Sequence, residues 1–272
     1  MKQSLRYREV IQDARRVVIK IGSRVLVQKT GRPDKARMRT LSREVARVQK
    51  DGHDVVLVTS GAVASGMEAL GMTSRPSSLP DLQMAAAVGQ ARLMSHYDAF
   101  FAHAGCLVGQ VLLTHSDFRH KMRLTNARRT LENLMRHGVI PVINENDVVT
   151  DEEIRADLAF GDNDFLASLV VKLIRADLLI LLTTVDGLRA PGANGRTQRV
   201  RYVESITKQT FSLIAGKTGG LSKGGMATKL KAAQTVSKAG CAAVIASGRK
   251  SGVLDRIMKG DDIGTLVVAS AM

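Results

Sequence analysis

The feature that most constrains the fold is a series of short apolar runs that alternate with segments of helical character. Five such runs precede residue 184, at residues 15–22, 54–60, 106–113, 139–143 and 178–183. Apolar spacing and glycine caps predict helices between them, at residues 35–51, 61–70, 81–103, 123–137 and 165–175. The alternation predicts an α/β chain whose open, parallel sheet is covered by helices on both faces.

The rest of the chain continues this pattern. We predict a loop or hairpin at residues 184–203, helices at 204–214, 226–238 and 253–258, and strands at 241–247 and 265–269. No linker, repeat or low-complexity tract interrupts the chain, so we expect a single domain over residues 1–272. Aromatic residues make up only 3% of the chain and Trp is absent, which favours an aliphatic core and a parallel sheet rich in Val, Ile and Leu.

Residues 138–168 form an acidic, amide-rich stretch in an otherwise basic chain. The chain has 40 Lys and Arg against 25 Asp and Glu, yet residues 144–164 hold eight acids and one base. Two clusters lie in this stretch, NEND at residues 144–147 and GDND at residues 161–164. A loop of this kind after a strand predicts a site for a small zwitterion or a metal ion. The alternative is that Asn and Asp only cap and turn the chain here.

Three glycine-containing turns predict a phosphate site. Two follow the strands at residues 15–22 and 54–60, and the third, at residues 215–225, precedes a helix that carries Lys229. The third turn is not a P-loop, because the first glycine of that motif would fall at Phe211. Alone, this third loop is most often just a mobile connection. Together with Lys20 and Lys229 the three turns can converge at one edge of the sheet, where backbone N–H groups and lysines bind anions.

These two features suggest a phosphoryl transfer. If ATP binds at the glycine turns and the acidic loop holds a carboxylate acceptor, no general base is needed, because a carboxyl group with a pKa of about 4.3 is ionised at neutral pH. None of the six histidines lies in these loops, and we interpret them as structural. Positioning and charge neutralisation by Lys20, Lys229 and Mg²⁺ would supply the catalysis, with Asp164 orienting the lysines.

Charge and composition limit the kinds of binding partner that we expect for this protein. The net charge of +15 and the pI near 10.3 suit nucleic acid, ATP or acidic metabolites. No aromatic-basic motif accompanies the charge, so we favour small anions over nucleic acid. Cys106 and Cys241 lie in apolar runs and are predicted to be buried, reduced thiols. The lack of a membrane-length apolar run and of a secretory signal predicts a cytoplasmic protein without membrane contact.

Eight short motifs, in order along nearly the whole chain, resemble the amino acid kinase superfamily. They are VIKIGS at 18–23, VTSGAVASG at 58–66, AAVGQARL at 86–93, GQVLLT at 109–114, NARRTLENL at 126–134, VIPVINEND at 139–147, GDND at 161–164 and GGMATKLKAA at 224–233. The resemblance implies a three-layer αβα sandwich with a mainly parallel central sheet. It also implies phosphorylation of the L-glutamate γ-carboxylate to L-glutamyl 5-phosphate by ATP and Mg²⁺, the first step of proline biosynthesis. Feedback inhibition by proline and assembly into a homodimer or tetramer are further implications.

Carried over by position, the resemblance implies three sets of site residues and no protein ligand for a metal ion. The catalytic set is Lys20, Asp164 and Lys229. The glutamate-binding set is Ser60, Gly61, Ala62, Asn146, Asp147 and Asn163. The nucleotide-binding set is Lys20, Gly22, Ser23, Thr183, Thr184, Lys223, Gly224, Gly225, Met226, Ala227, Thr228 and Lys229. Asp147 can pair with the substrate ammonium group, while Ser60 and Asn163 can hydrogen-bond its carboxylates.

The chain departs from the family pattern at several places. Thr184 replaces an aspartate of the nucleotide segment, whose contact is lost or moved to Asp186, and Lys223 adds a positive charge. Residues 155–159 look like an insertion that could alter lid closure or the response to proline, and the chain ends at Met272, so we expect no C-terminal PUA domain. The alternatives are an acetylglutamate or uridylate kinase, a non-catalytic amino-acid sensor, and a nucleic-acid-binding protein. The two Asn/Asp clusters favour glutamate.

Overall fold

A computed structural model of the chain describes residues 9–149, 162–192, 196–215 and 225–270, and within these ranges the side chains of Asp162 and Ala215 are not described. The apparent insertion at residues 155–159 and the predicted nucleotide-binding Lys223 and Gly224 lie outside these ranges. Predictions that concern those residues therefore stay predictions. Among the described residues, no helix is both long and apolar enough to cross a bilayer.

Ten strands lie in the described part of the chain, eight of them in one central sheet. The central strands are β1 (Arg16–Ile21), β2 (Asp54–Val58), β3 (Leu107–Leu113), β4 (Val139–Glu145), β5 (Leu178–Thr183), β8 (Tyr202–Val203), β9 (Ala242–Ser247) and β10 (Thr265–Val267). A separate antiparallel hairpin joins β6 (Arg189–Pro191) to β7 (Thr197–Arg199). The central order is β3-β4-β2-β1-β5-β9-β10-β8, and only the β9–β10 pair is antiparallel.

Helices cover both faces of this sheet. They are α1 (Ser23–Leu26), α2 (Lys35–Lys50), α3 (Ala62–Ala69), α4 (Leu79–Ala102), α5 (Lys121–Arg136), α6 (Asp162–Ile174), α7 (Lys208–Ala215), α8 (Met226–Ser237) and α9 (Val253–Met258), with 3-10 turns at His115–Arg119 and Asp147–Val149.

Alternate residues of the central strands enter two separate cores. In β1, Val17 and Ile19 pack with α2, α4 and α9, whereas Val18 faces α5, α6 and α8 on the other side. Because successive side chains of a strand point to opposite faces, a strand buried on both sides must be apolar at nearly every position. The predicted αβα sandwich with a mainly parallel sheet is therefore confirmed, whereas the single domain over residues 1–272 stays a prediction.

The predicted helices and strands are present with shifted ends, and the largest shift is at the helix predicted for residues 204–214, which is α7 (Lys208–Ala215). The short elements α1 and β8 were not predicted. Helix α4 begins at Leu79 rather than residue 81, since the Ser78 hydroxyl caps it by accepting a hydrogen bond from the Asp81 amide at 3.2 Å. Strand β4 runs on to Glu145 because it stays paired with β3 through Leu113. The predicted loop or hairpin at residues 184–203 contains the β6–β7 hairpin.

Helices α3 and α4 approach each other through two glycines. A Cβ atom at Gly66 would lie 1.8 Å from the Ala85 carbonyl oxygen, and one at Gly89 would lie 1.8 Å from that of Ala62. No side chain fits in either place, so glycine permits the two backbones to touch. This contact holds the turn after β2, at Gly61, against the part of α4 that carries Gln90.

Candidate active site

The predicted site residues converge at one edge of the sheet. Four neighbouring parallel strands, β4, β2, β1 and β5, all end there, and their following turns carry polar residues. The N-terminal turns of α6 and α8 complete the site with Asn163, Asp164, Thr228 and Lys229. Residues that are far apart in the sequence therefore meet because the carboxyl ends of parallel strands share an edge.

Asp164 lies between the two lysines, as the sequence predicts. Its Oδ1 atom accepts a hydrogen bond from Lys20 Nζ at 2.7 Å, and its Oδ2 atom accepts one from Lys229 Nζ at 2.9 Å. The Thr228 hydroxyl also lies 2.7 Å from Oδ2. The three charged residues are only 5%, 1% and 4% exposed in the order Lys20, Asp164 and Lys229. Water is thus largely excluded from the charges, which strengthens their interactions.

The pKa values follow from this arrangement. Burial acts to raise the pKa of Asp164, but the charges of Lys20 and Lys229 and the hydrogen bonds from Lys20 and Thr228 outweigh burial and lower it to about 2. Burial lowers the pKa of Lys229, and the Asp164 carboxylate opposes that shift. Asp164 is therefore ionised at neutral pH. Two lysine side chains share its single carboxylate, so the cluster favours a further anion such as a phosphate.

The predicted nucleotide-binding residues lie on the β1, β5 and α8 side of this cluster. The Gly22 amide donates a hydrogen bond to the Leu182 carbonyl oxygen at 3.0 Å, which joins the end of β1 to β5. A Cβ atom at Gly22 would lie 3.2 Å from the Leu182 carbonyl oxygen and 3.7 Å from Lys20 Nζ, so glycine leaves space beside both atoms. The others in the described ranges are Ser23 at the start of α1, Thr183 and Thr184 at the end of β5, and Gly225, Met226 and Ala227 at the start of α8.

On the other side of the cluster, Asn163 connects the turn after β2 to β4. Its Nδ2 atom lies 2.6 Å from the Thr59 carbonyl oxygen, 2.7 Å from Ser60 Oγ and 3.1 Å from Asn144 Oδ1. Asn163 and Asp164 are adjacent, so the first turn of α6 supplies one residue to each side of the site. Of the predicted acceptor residues, Ser60 and Asn163 are thus in direct contact.

A cavity of about 330 Å³ is lined by three of the other predicted acceptor residues, Ala62, Asn146 and Asp147, whereas Ser60 and Asn163 are not among its lining residues. Its wall is formed partly by small alanines of α3 and α4 and partly by polar groups. The lining residues are Ala62, Ala86, Ala87, Gln90, Ala91, Gln110, Leu112, Glu145, Asn146, Asp147 and Val148. A cavity of this size whose wall carries acidic and amide groups suits a small amino acid.

The sequence did not assign a role to several residues that the structure places here. Asn144 is 1% exposed and hydrogen-bonds both Asn163 and Gln90, and Gln90 also contacts Gln110. Asn144 lies in the first Asn/Asp cluster and Gln90 lies in the AAVGQARL motif, so both were visible in the sequence. Their contacts join residues 54 positions apart, however, and no local pattern encodes that.

One histidine is closer to the site than expected. His115 Nδ1 lies 3.9 Å from a carboxylate oxygen of Glu145, and its ring packs at a tilt of 43° against Phe165, the residue after Asp164. Burial and the nearby Arg119 lower the pKa of His115, which favours a neutral ring. The interpretation of the histidines as structural stays a prediction.

The described residues do not form a metal cage. Within residues 9–149, 162–192, 196–215 and 225–270, no group of three or more Asp, Glu, His or Cys side chains is placed to hold a metal ion. Both carboxylate oxygens of Asp164 accept hydrogen bonds from lysines, Oδ1 from Lys20 and Oδ2 from Lys229. The Asp186 carboxylate, suggested as a substitute contact to nucleotide, pairs with Arg189 at 3.2 Å.

Replacement of Asp164 by Asn tests the buried ion cluster. Because Lys20 and Lys229 would lose their shared counter-charge in a buried position, we expect the free energy of unfolding, measured by chemical denaturation, to fall by about 3–5 kcal/mol. The matched control is Asp261→Asn, which breaks an ion pair with Arg256 at the surface. The Asp261 side chain is 39% exposed and the Arg256 side chain is 52% exposed. That change should cost about 0–1 kcal/mol. Equal losses in the two variants would contradict the account.

Comparison with known proteins agrees with this geometry. Residues 15–247 match the amino acid kinase family. The chain is 43% identical over 261 residues to a glutamate 5-kinase of Geobacter sp. (strain M21), covering 95% of this chain and 69% of that protein. It is 45% identical to glutamate 5-kinases of Moorella thermoacetica, over 95% of this chain and 68% of that protein, and of Thioalkalivibrio sulfidiphilus, over 96% and 69%.

Among solved structures, carbamate kinase from Giardia lamblia bound to AMP-PNP shares the fold. It superimposes with a TM-score of 0.63 at 16% sequence identity and covers 94% of this chain and 99% of that one. At this identity the similarity concerns the fold alone, and it agrees with the observed sandwich. The family match and the identities of 43–45% to glutamate 5-kinases show a closer relationship. The chain therefore belongs to the amino acid kinase family and, within it, to the glutamate 5-kinases.

Proposed function

We propose that this protein transfers the γ-phosphoryl group of ATP to the γ-carboxylate of L-glutamate, which yields L-glutamyl 5-phosphate and ADP and opens proline biosynthesis. The observation that carries the proposal is the position of Asp164 between Lys20 and Lys229, at 2.7 and 2.9 Å. The adjacent Asn163 contacts Ser60 at 2.7 Å. Donor and acceptor sites therefore meet at two consecutive residues.

The acceptor side suits a zwitterion with a second carboxylate. Asp147 lines the cavity and supplies a negative charge for the substrate ammonium group. The Ser60 hydroxyl can donate a hydrogen bond to a carboxylate oxygen. A carboxyl group with a pKa of about 4.3 is already ionised near neutral pH, so the site needs no general base.

On the donor side, the two lysines neutralise the phosphate charge. A γ-carboxylate oxygen attacks the γ-phosphorus, the bond to the bridging oxygen breaks, and ADP takes the electron pair. Lys20 and Lys229 stabilise the charge that spreads over the transferred oxygens. Asp164 contacts both lysines and acts as a positioning residue that keeps them oriented.

Further properties belong to this proposal because the family resemblance supports them. Mg²⁺ would be bound mainly through the ATP phosphates, because the described residues offer it no cage of carboxylates. Buried thiols at Cys106 and Cys241 fit a reducing, cytoplasmic location. Assembly into a homo-oligomer and inhibition by proline rest on the family alone. The roles of the predicted glutamate-binding and nucleotide-binding residues are part of the same proposal.

The acceptor is tested by a single assay. The protein is incubated with ATP, Mg²⁺ and L-glutamate, and hydroxylamine traps the acyl phosphate as a hydroxamate. We expect hydroxamate from glutamate and none from a reaction without ATP. Parallel reactions contain N-acetylglutamate or UMP, the acceptors of the sister kinases. Phosphorylation of either one without hydroxamate from glutamate would overturn the proposal, and no turnover of any acceptor would favour a non-catalytic sensor.

Two alanine variants distinguish the role of the phosphate side of the site from the role of the acceptor side. Lys229→Ala removes a cation that contacts the transferred group, so kcat should fall by about 10²-fold or more. Asp147→Ala removes a partner of the substrate ammonium group, so the KM for glutamate should rise about tenfold or more while the KM for ATP changes little. Circular dichroism checks that both variants fold. Near-normal kcat in Lys229→Ala, or an unchanged glutamate KM in Asp147→Ala, would remove that residue from its role.

A further inference from the structure

His115 is a buried side chain that has no role in the reaction proposed above. It begins the 3-10 turn after β3, and its side chain is 9% exposed. Both ring nitrogens are buried and have no hydrogen-bond partner among the described residues. A neutral imidazole carries one donor and one acceptor, and burying either without a partner is costly. A phenylalanine would pack against Phe165 without that cost, so packing alone does not explain a histidine here.

A carboxylate that lines the acceptor cavity lies beside this ring. The acceptor cavity is the cavity of about 330 Å³ whose wall includes Glu145, Asn146 and Asp147. Glu145 is the last residue of β4, and its side chain is 5% exposed. One of its carboxylate oxygens lies 3.9 Å from His115 Nδ1. His115 is not among the lining residues, so its contact with Glu145 is what connects the ring to the cavity.

The other charged groups around the ring do not offer it a second acid. In the same 3-10 turn, Asp117 already accepts a hydrogen bond from Arg123 of α5 at 3.2 Å, so its charge is balanced. Arg119, also in this turn, acts with burial to lower the pKa of His115. Helix α6 contributes an apolar ring. Within the described residues, a proton on His115 would therefore be balanced by Glu145.

We propose that His115 is a positioning residue that acts on the acceptor cavity through Glu145. While His115 is neutral, Glu145 contributes its negative charge to the part of the wall that binds the substrate ammonium group, together with Asp147. Protonation of His115 draws Glu145 into an ion pair and withdraws that charge. The inference rests on the proposed glutamate kinase activity, and for His115 it replaces the interpretation as a structural histidine.

The direction of the pH dependence follows from these charges. Burial and Arg119 hold the pKa of His115 below its ordinary value of 6.5, so the ring is neutral at pH 7.5 and gains its proton below pH 6.5. Water screens little at a buried contact of 3.9 Å, so the protonated ring and Glu145 attract each other strongly. The γ-carboxyl group of glutamate, with a pKa of about 4.3, stays ionised between pH 7.5 and 5.5. Affinity for glutamate should therefore fall as the pH falls.

The test measures the KM for glutamate between pH 7.5 and 5.5 at saturating ATP and Mg²⁺, with ADP determined in quenched samples. In the parent protein KM should rise about fivefold or more on acidification, the effect of one partly screened charge. His115→Phe keeps the ring packing and cannot be protonated, so its KM should stay within about twofold over this range. The inhibition constant of glutarate, which has both carboxylates but no ammonium group, should not rise in the parent protein.

His96→Phe is the matched control. Like His115, His96 packs its ring against a phenylalanine, and burial lowers its pKa. Its charged neighbours include Lys35 and Glu68, and it is not among the residues that line the acceptor cavity. This variant should keep the pH dependence of the parent protein, which separates the effect of His115 from that of any buried histidine.

Two further measurements follow Glu145 and the proton. Glu145→Gln removes the charge that His115 controls, so its KM at pH 7.5 should be close to the parent value at pH 5.5, with little further rise. Because coupling is reciprocal, a proton that weakens glutamate binding fivefold requires that glutamate lower the pKa of His115 by about 0.7. NMR titration in the presence of Mg²⁺ and AMP-PNP should show this with glutamate and not with glutarate. The ring signals are assigned by their absence from His115→Gln.

Several results would overturn the inference. They are a glutamate KM in the parent protein that does not change with pH, the same rise in folded His115→Phe, an equal loss of affinity for glutamate and glutarate, or a His115 pKa that glutamate does not lower. Circular dichroism checks folding, and His115→Gln, which also cannot be protonated, gives the same test if the Phe variant does not fold. Failure of the parent protein to phosphorylate glutamate at pH 7.5 would instead reject the proposed function, so the two failures are distinguishable.

Discussion

The buried contact of one carboxylate with two lysines is the interaction on which the rest of the site depends. Removing three charges from water is costly, and such a cluster persists only when each group keeps its partners. Here Asp164 accepts from Lys20, Lys229 and the Thr228 hydroxyl, which ties β1, α6 and α8 together at one edge of the sheet. The parallel arrangement of the strands makes this possible, because it brings the end of β1 beside the first turns of both helices.

The start of α6 divides the site into two halves. Successive residues of a helix point about 100° apart, so Asn163 and Asp164 face different surroundings although they are neighbours in the sequence. Asp164 faces the lysines and would serve the nucleotide, while Asn163 faces Ser60 and Asn144 and would serve the amino acid. In the proposed reaction a single helical turn would set the distance between phosphoryl donor and acceptor, which is the main requirement for a transfer that needs no general base.

The fold and the ion cluster could be predicted from the sequence, because both have local signals. The apolar runs indicated the strands, and Lys20, Asp164 and Lys229 lie within recognisable motifs. The hydrogen bond from Asn144 to Gln90 could not be predicted, because it joins residues 54 positions apart in the sequence. The contact of α3 with α4 at Gly66 was equally hidden, since a glycine in a helix does not indicate which backbone packs against it. Residues 155–159 lie outside the described ranges, and their role stays a prediction.

The central claim, direct transfer from ATP to a carboxylate oxygen, is tested most directly by following oxygen atoms. L-Glutamate labelled with ¹⁸O at both γ-carboxylate oxygens is incubated with ATP, and hydroxylamine then cleaves the acyl phosphate at its carbon–oxygen bond. The bridging oxygen leaves with the phosphate, so mass spectrometry should find one ¹⁸O in each phosphate released with the hydroxamate. Unlabelled phosphate would mean that water, and not the γ-carboxylate, attacks the γ-phosphorus, and it would contradict direct transfer.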